Sequence, residues 1–185
     1  TRPSPRAAHP LPRPRLRRTP RPRRRLTTSP ERGCFQSFGC TRERRDGFVE
    51  VYAEAGIEID RRRIVCGDFR FDCCRSAIAL AVADGLEFDS VFAHNDQSAA
   101  AVLGALNEAG LWVPQDVAVV GFDDVEMASY TCPALTTVRQ PMRETGEAAA
   151  RLLLDHVRGS PEAASSCIVP TSLVVRGSTS RPAPD

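Results

Sequence analysis

The chain has 185 residues, 42% of them apolar, and a formal net charge of +2, which is room for one ordinary domain with a core, plus a tail. No apolar run approaches the roughly 18 residues that span a bilayer, and the charged N-terminus lacks the apolar stretch of a secretory leader. A membrane partner is therefore not expected and a cytoplasmic location is. The small net charge hides an asymmetry: residues 1–46 carry 14 Arg against 3 acids, residues 47–185 carry 11 Arg against 20 acids, and Lys is absent. The seven cysteines, at positions 34, 40, 66, 73, 74, 132 and 167, form no C-x-x-C pair. The adjacent Cys73 and Cys74 suit neither a disulfide framework nor a zinc site, so free thiols are expected, with no metal and no cofactor.

Residues 1–33 read as non-globular. Arg2-Pro3, Arg13-Pro14, Arg21-Pro22 and Arg23-Arg24-Arg25 recur with almost no apolar content, too little to offset the entropy of ordering. Residues 34–41 carry no assignable pattern. The expected organisation is an Arg/Pro-rich, disordered or non-native segment over 1–40, a partial domain over 41–180 and a short tail over 181–185.

From Thr41 the chain alternates helix and strand. Glu43 to Ala55 reads as a helix with Phe48, Val51, Tyr52 and Ala55 on one face, stopped by Gly56. Arg63 to Cys66 is a short strand. Asp72 to Ala83 is a helix with Ala77, Ile78, Leu80 and Ala81 inward. Ser90 to Ala93 is a strand, and Asn95 or Asp96 caps a helix to Ala109 with Ala99, Val102, Leu103 and Leu106 apolar. Val117 to Val120 is the continuous apolar run of a strand covered on both faces. Thr136 to Val138 is a further strand. Pro141 opens a helix to about Arg158, with Met142, Thr145, Ala149, Leu152, Leu153 and Val157 inward. Cys167-Ile168-Val169 and Leu173-Val174-Val175 read as terminal strands. Strands alternating with helices of this length predict an α/β fold with a doubly wound parallel sheet.

Open parallel sheets bind ligands outside the carboxyl ends of their strands. Three such ends share one design: Gly67-Asp68-Phe69, His94-Asn95-Asp96 and Gly121-Phe122-Asp123-Asp124. Carboxylates and amides hydrogen-bond vicinal hydroxyls, and an aromatic stacks on the C–H face of a sugar ring. The set suits a small polyhydroxylated or purine-like ligand. Each residue also has a structural reading of equal weight: Asp72, Asn95 and Asp96 as helix caps, Asp123-Asp124 as a turn. No Ser-His-Asp or metal-ligand spacing is present, no G-x-G-x-x-G or phosphate-loop motif either, and an enzyme is not expected.

Several segments, in order, resemble the effector-binding domain of the LacI/GalR repressor family: Arg44-Arg45-Asp46-Gly47-Phe48, Gly67-Asp68-Phe69, Asn95-Asp96-Gln97-Ser98-Ala99, Gly110 to Val117, Gly121 to Asp124, Pro133 to Pro141 and Leu173 to Thr179. The block Pro133-Ala134-Leu135-Thr136-Thr137-Val138-Arg139-Gln140-Pro141 is the most specific. The resemblance implies a periplasmic-binding-protein-like type I fold, with the second of two lobes largely complete and the first mostly missing. It implies effector contacts at Arg44, Phe69, Asn95, Asp123 and Gln140, a homodimer, and DNA bound through a helix-turn-helix that is not legible in this sequence. The effector would be a sugar or a purine-like molecule. It also implies that the 141–158 helix belongs against a sheet this chain does not carry, so its apolar stripe must pack elsewhere, dimerise or be exposed.

The onset of family-like sequence at Thr41 motivates reading residues 1–40 as a shifted reading frame or fusion scar; an intact upstream frame that encodes them would sink that reading. The competing reading is a basic arm that binds nucleic-acid phosphates without sequence preference. Two alternatives for the whole stand beside the repressor: a sugar-binding component of a transporter with the same fold, and a non-functional truncated remnant.

Overall fold

A computed structural model of the chain describes residues 25–28, for their backbone, and residues 39–159 and 166–179. The remainder of the 1–40 segment and the 181–185 tail lie outside the described residues. A six-stranded sheet carries the fold, in the order β2-β1-β3-β4-β5-β6. The strands are β1 (Arg25–Thr28), β2 (Ile64–Val65), β3 (Ser90–Ala93), β4 (Ala118–Asp123), β5 (Thr136–Arg139) and β6 (Ser172–Val174). β1 through β5 are parallel, and β6 runs antiparallel to β5, with Val138 opposite Leu173. The helices are α1 (Gly39–Glu54), α2 (Phe71–Ala83), α3 (Asp96–Glu108), α4 (Met127–Tyr130) and α5 (Met142–Val157).

The packed half is built by alternation along the strands. In β3, Val91 and Ala93 are buried on one face, and α3 packs there with Ala99, Val102 and Leu106 beside Val119 of β4. α2 lies along α3 and adds Cys74 and Ile78. On the other face Phe92 stacks on Phe48 of α1 at a 5.8 Å centroid distance. Burying each large aliphatic side chain contributes about 1.5–3 kcal/mol. The segment after β6 closes the far side: the Ser178 hydroxyl donates to the Val119 carbonyl at 2.6 Å and accepts from the Thr136 N–H at 2.8 Å.

The doubly wound parallel architecture expected from the sequence is present, with five differences of detail. Arg25–Thr28, read as part of a non-globular tail, forms β1 and pairs with β2 and β3 at once; strand pairing uses backbone groups, and Leu26-Thr27-Thr28 suits a strand, a signal too short to show among arginines and prolines. Cys167-Ile168-Val169 forms no strand, and Ile168 is exposed. The last strand is antiparallel. Leu80 and Val51, placed inward by periodicity, are exposed. The apolar stripe of α5, also placed inward, has no buried residue at all.

Candidate functional site

In the order β2-β1-β3 the first strand lies between the two that follow it, so the winding reverses between β1 and β3. The crevice outside the carboxyl ends of strands at such a point is where open α/β sheets receive ligands. The carboxyl ends of β2, β3 and β4 deliver Asp68-Phe69, His94-Asn95 and Phe122-Asp123 to this edge.

The β4 end is fixed from below. Asp96, buried at the start of α3, accepts from the Thr137 hydroxyl at 2.5 Å and from the Val125 N–H at 2.9 Å. Burial pushes its pKa up, against those hydrogen bonds, and the neighbouring charge of Asp123 adds to the rise. Gly121 makes room for it: a Cβ there would lie 2.3 Å from Asp96 Oδ1 and 2.8 Å from Leu135 Cδ2. The turn that Asp96 grips holds Asp123 and Asp124 at φ 112° and 58°, left-handed backbone that non-glycine residues seldom adopt. This separates two adjacent acids. Asp124 turns inward to Arg139 Nε at 2.6 Å and Arg176 Nη2 at 2.7 Å. Burial alone would raise its pKa, and the two arginines outweigh burial and hold it below the usual carboxylate range. Asp123 turns the other way and accepts from Gln140 Nε2 at 2.5 Å.

Arg44 reaches the same point from α1. Its Nη1 donates to the His94 carbonyl. Its Cζ lies 3.7 Å above the centroid of the Phe122 ring, a cation–π distance. Its Nη2 is 3.9 Å from Asp123 Oδ1, the two side chains being 16% and 30% exposed. His94 is buried; burial first, then the charges of Arg44 and Arg45, push its pKa down to about 4, so its ring is neutral near pH 7. Phe69 sits 6.4 Å from the His94 ring, in a turn whose Asp68 and Phe69 both have left-handed backbone, φ 48° and 54°. The Phe69 carbonyl accepts from Asn95 Nδ2 at 3.4 Å, while Asn95 Oδ1 accepts from the Ser98 N–H at 2.8 Å and caps α3.

The five residues singled out in the sequence, Arg44, Phe69, Asn95, Asp123 and Gln140, thus form one connected group, with His94 as the link between Arg44 and Phe69. For Asn95 the capping reading holds, since its side-chain oxygen caps α3 while its amide donates to the Phe69 carbonyl. Sequence reasoning missed Phe122 as the platform beneath Arg44 and Asp96 as the anchor of the Asp123 turn; the signal for Asp96 was Gly121, a glycine inside an otherwise bulky strand. Asp68 Oδ1 and Thr41 Oγ1 are buried without a hydrogen-bond partner among the described residues. Among the described residues no three His, Cys, Asp or Glu side chains gather where they would hold a metal ion, and no helix is long and apolar enough to cross a membrane.

A periplasmic binding protein-like domain model matches residues 34–179. The chain is 34% identical over 136 residues to the HTH-type transcriptional repressor CytR of Escherichia coli K12, a match that covers 74% of this chain and 40% of that protein. Among solved structures, a complex of the transcriptional regulator CelR with cellobiose superposes with a TM-score of 0.77 at 35% identity, covering 84% of this chain and 46% of that one. The lac repressor dimer bound to operator and an anti-inducer superposes with a TM-score of 0.76 at 26% identity, covering 85% and 46%. The chain therefore spans less than half the length of these relatives, and it belongs to the periplasmic binding protein-like domain family, among its LacI-type members.

Proposed function

We propose that the chain is the ligand-sensing portion of a LacI-type transcriptional repressor, binding a small sugar or purine-like effector at the Arg44–Asp123–Gln140 cluster and thereby controlling DNA binding. The observation that carries this reading is the convergence of three polar side chains from α1, β4 and the residue after β5 on one point at the sheet's topological switch. Asp123 accepts from effector hydroxyl or N–H groups through the oxygen that Gln140 leaves open. Arg44 donates to a ring or hydroxyl oxygen, Phe69 covers an apolar ring face, and Asn95 has one amide N–H to offer. Gln140, at the exit of β5, links Asp123 to the start of α5. An effector that prefers one arrangement of these elements shifts the population of conformers and so the affinity for DNA. DNA contact, through a helix-turn-helix, and homodimerisation belong to the whole repressor. The protein works in the cytoplasm, needs no cofactor and turns over no substrate.

The test is urea denaturation and calorimetry of the chain with cellobiose, ribose and free purines. A ligand that binds only the folded state raises the unfolding free energy by about 2.7 kcal/mol at a hundredfold excess over Kd. Asp123→Ala should weaken that ligand by roughly ten- to a hundredfold, the loss of one charge-assisted hydrogen bond. A panel with no stabilising member, or a ligand indifferent to Asp123→Ala, overturns the reading.

A further inference from the structure

We propose that this site selects neutral effectors and refuses anionic ones, because Asp123 neutralises Arg44 and Phe122 holds it in that posture. Phosphorylated or carboxylated sugars and nucleotides are then excluded, and unphosphorylated polyols or nucleosides are admitted. The inference rests on the effector-site reading above and narrows its ligand class.

An arginine recognises phosphate or carboxylate by presenting two parallel N–H groups of an open fork. The fork of Arg44 is already engaged: one terminal nitrogen on the His94 carbonyl, the other beside Asp123, and the guanidinium face on the Phe122 ring. Three other guanidinium groups near this edge are engaged as well, while Arg70, the residue after Phe69, is exposed. Arg45 meets Asp46 at 2.6 Å, and Arg139 and Arg176 both meet Asp124. His94 adds no positive charge near pH 7. Helix N-termini attract anions, yet the two that begin at this edge each hold an acid in their first turn, Asp72 in α2 and Asp96 in α3. Asp68 adds one more carboxylate in the turn next to Phe69, with a buried oxygen that no described residue satisfies. An incoming phosphate would therefore meet, at the Arg44–Asp123 point, a carboxylate and a guanidinium whose fork is already engaged. A hydroxyl or N–H donor meets acceptors, and a neutral ring meets Phe69.

The experiment needs no cognate effector. The isotope-labelled full chain is titrated with inorganic phosphate at constant ionic strength while the Arg44 Nε–H resonance is followed by NMR, with assignment through Arg44→Lys. In the unmodified protein the resonance should not move at millimolar phosphate. In Asp123→Asn, with Asp123→Ser as a second variant should the first fold poorly, the resonance should move and saturate, with phosphate affinity raised roughly tenfold or more by loss of one adjacent charge. Saturation of the unmodified protein by phosphate overturns the inference, and so does a variant as silent as the parent. In a parallel calorimetric arm, ribose should bind more tightly than ribose 5-phosphate and adenosine more tightly than its monophosphate. The reverse order in either pair also overturns it. If neither member of either pair binds, the effector reading is what loses support, while the phosphate titration still decides this one.

Discussion

Helices α3 and α5 both carry an apolar stripe at helical spacing, and the structure treats them oppositely. α3 buries eight of its residues, from Asp96 to Leu106, against β3, β4 and α2. α5 buries none; Met142, Leu153 and Val157 are 70%, 64% and 74% exposed. The difference lies in the surroundings and not in the stripe. α3 returns over the sheet between two neighbouring strands, whereas α5 departs after β5 and meets no element among the described residues that covers it. An amphipathic pattern states that a face gains by being covered, and it is silent about what covers it.

Truncation on the packed side should give the largest effect. Leu106→Ala removes a fully buried side chain at the centre of the core and should lower stability by about 2–5 kcal/mol in urea denaturation, the transfer loss plus the cavity. A loss under about 1 kcal/mol would mean that α3 is not the packed helix described.

The packed side also carries the pH dependence. His94 ionises near pH 6.5 in an unfolded chain and at about 4 when folded, so between those values the unfolded state binds the extra proton. Stability should therefore fall as the pH drops from about 7 towards 4, by up to about 3 kcal/mol. Asp96, whose pKa is raised, works in the opposite direction and returns part of the loss as it protonates. The measurement is urea unfolding across this range, in parallel with His94→Gln, which should show a flatter profile. Equal slopes would remove His94 as the cause.

Gly121→Ala probes the join between core and site. The added methyl meets Asp96 Oδ1 and Leu135, and because Asp96 is locked by Thr137 and Val125 it has little room to move. Overpacking of this kind costs about 1–3 kcal/mol, and the displaced turn should weaken effector binding as well. Full stability in this variant would show that Asp96 has slack.

The fold was largely legible because its signals are local: Gly56, Gly85 and Gly110 end helices, Asn95 caps α3, and Val117 to Val120 reads as a covered strand. What escaped was relational. β1 is four residues among arginines, identified by its neighbours' backbone hydrogen bonds and not by its composition. The antiparallel turn of β6 depends on Arg176 and Ser178 reaching back to β4, β5 and Asp124 across some forty to sixty residues. At the site, the strand-end pattern pointed to Phe69, Asn95 and Asp123, and the family resemblance implied Arg44 and Gln140 beside them. The division of work between Asp123 and Asp124 was not readable, since it is set by backbone dihedrals and by arginines remote in sequence.

The smallest effect is expected where the comparison began. Leu153→Ala on α5 removes a side chain that is mostly in solvent and replaces it with the best helix former, so the change in stability should stay within about 0.5 kcal/mol. The value of the measurement lies in its contrast with Leu106→Ala, a substitution identical in chemistry. Run at several protein concentrations, it also reports on the α5 face directly. If the cost stays small throughout, the face is bare and the two helices differ only in what lies beside them. If the cost rises with concentration to that of a buried leucine, a second copy covers the stripe, and the asymmetry between α3 and α5 is a property of the single chain and not of the protein in solution.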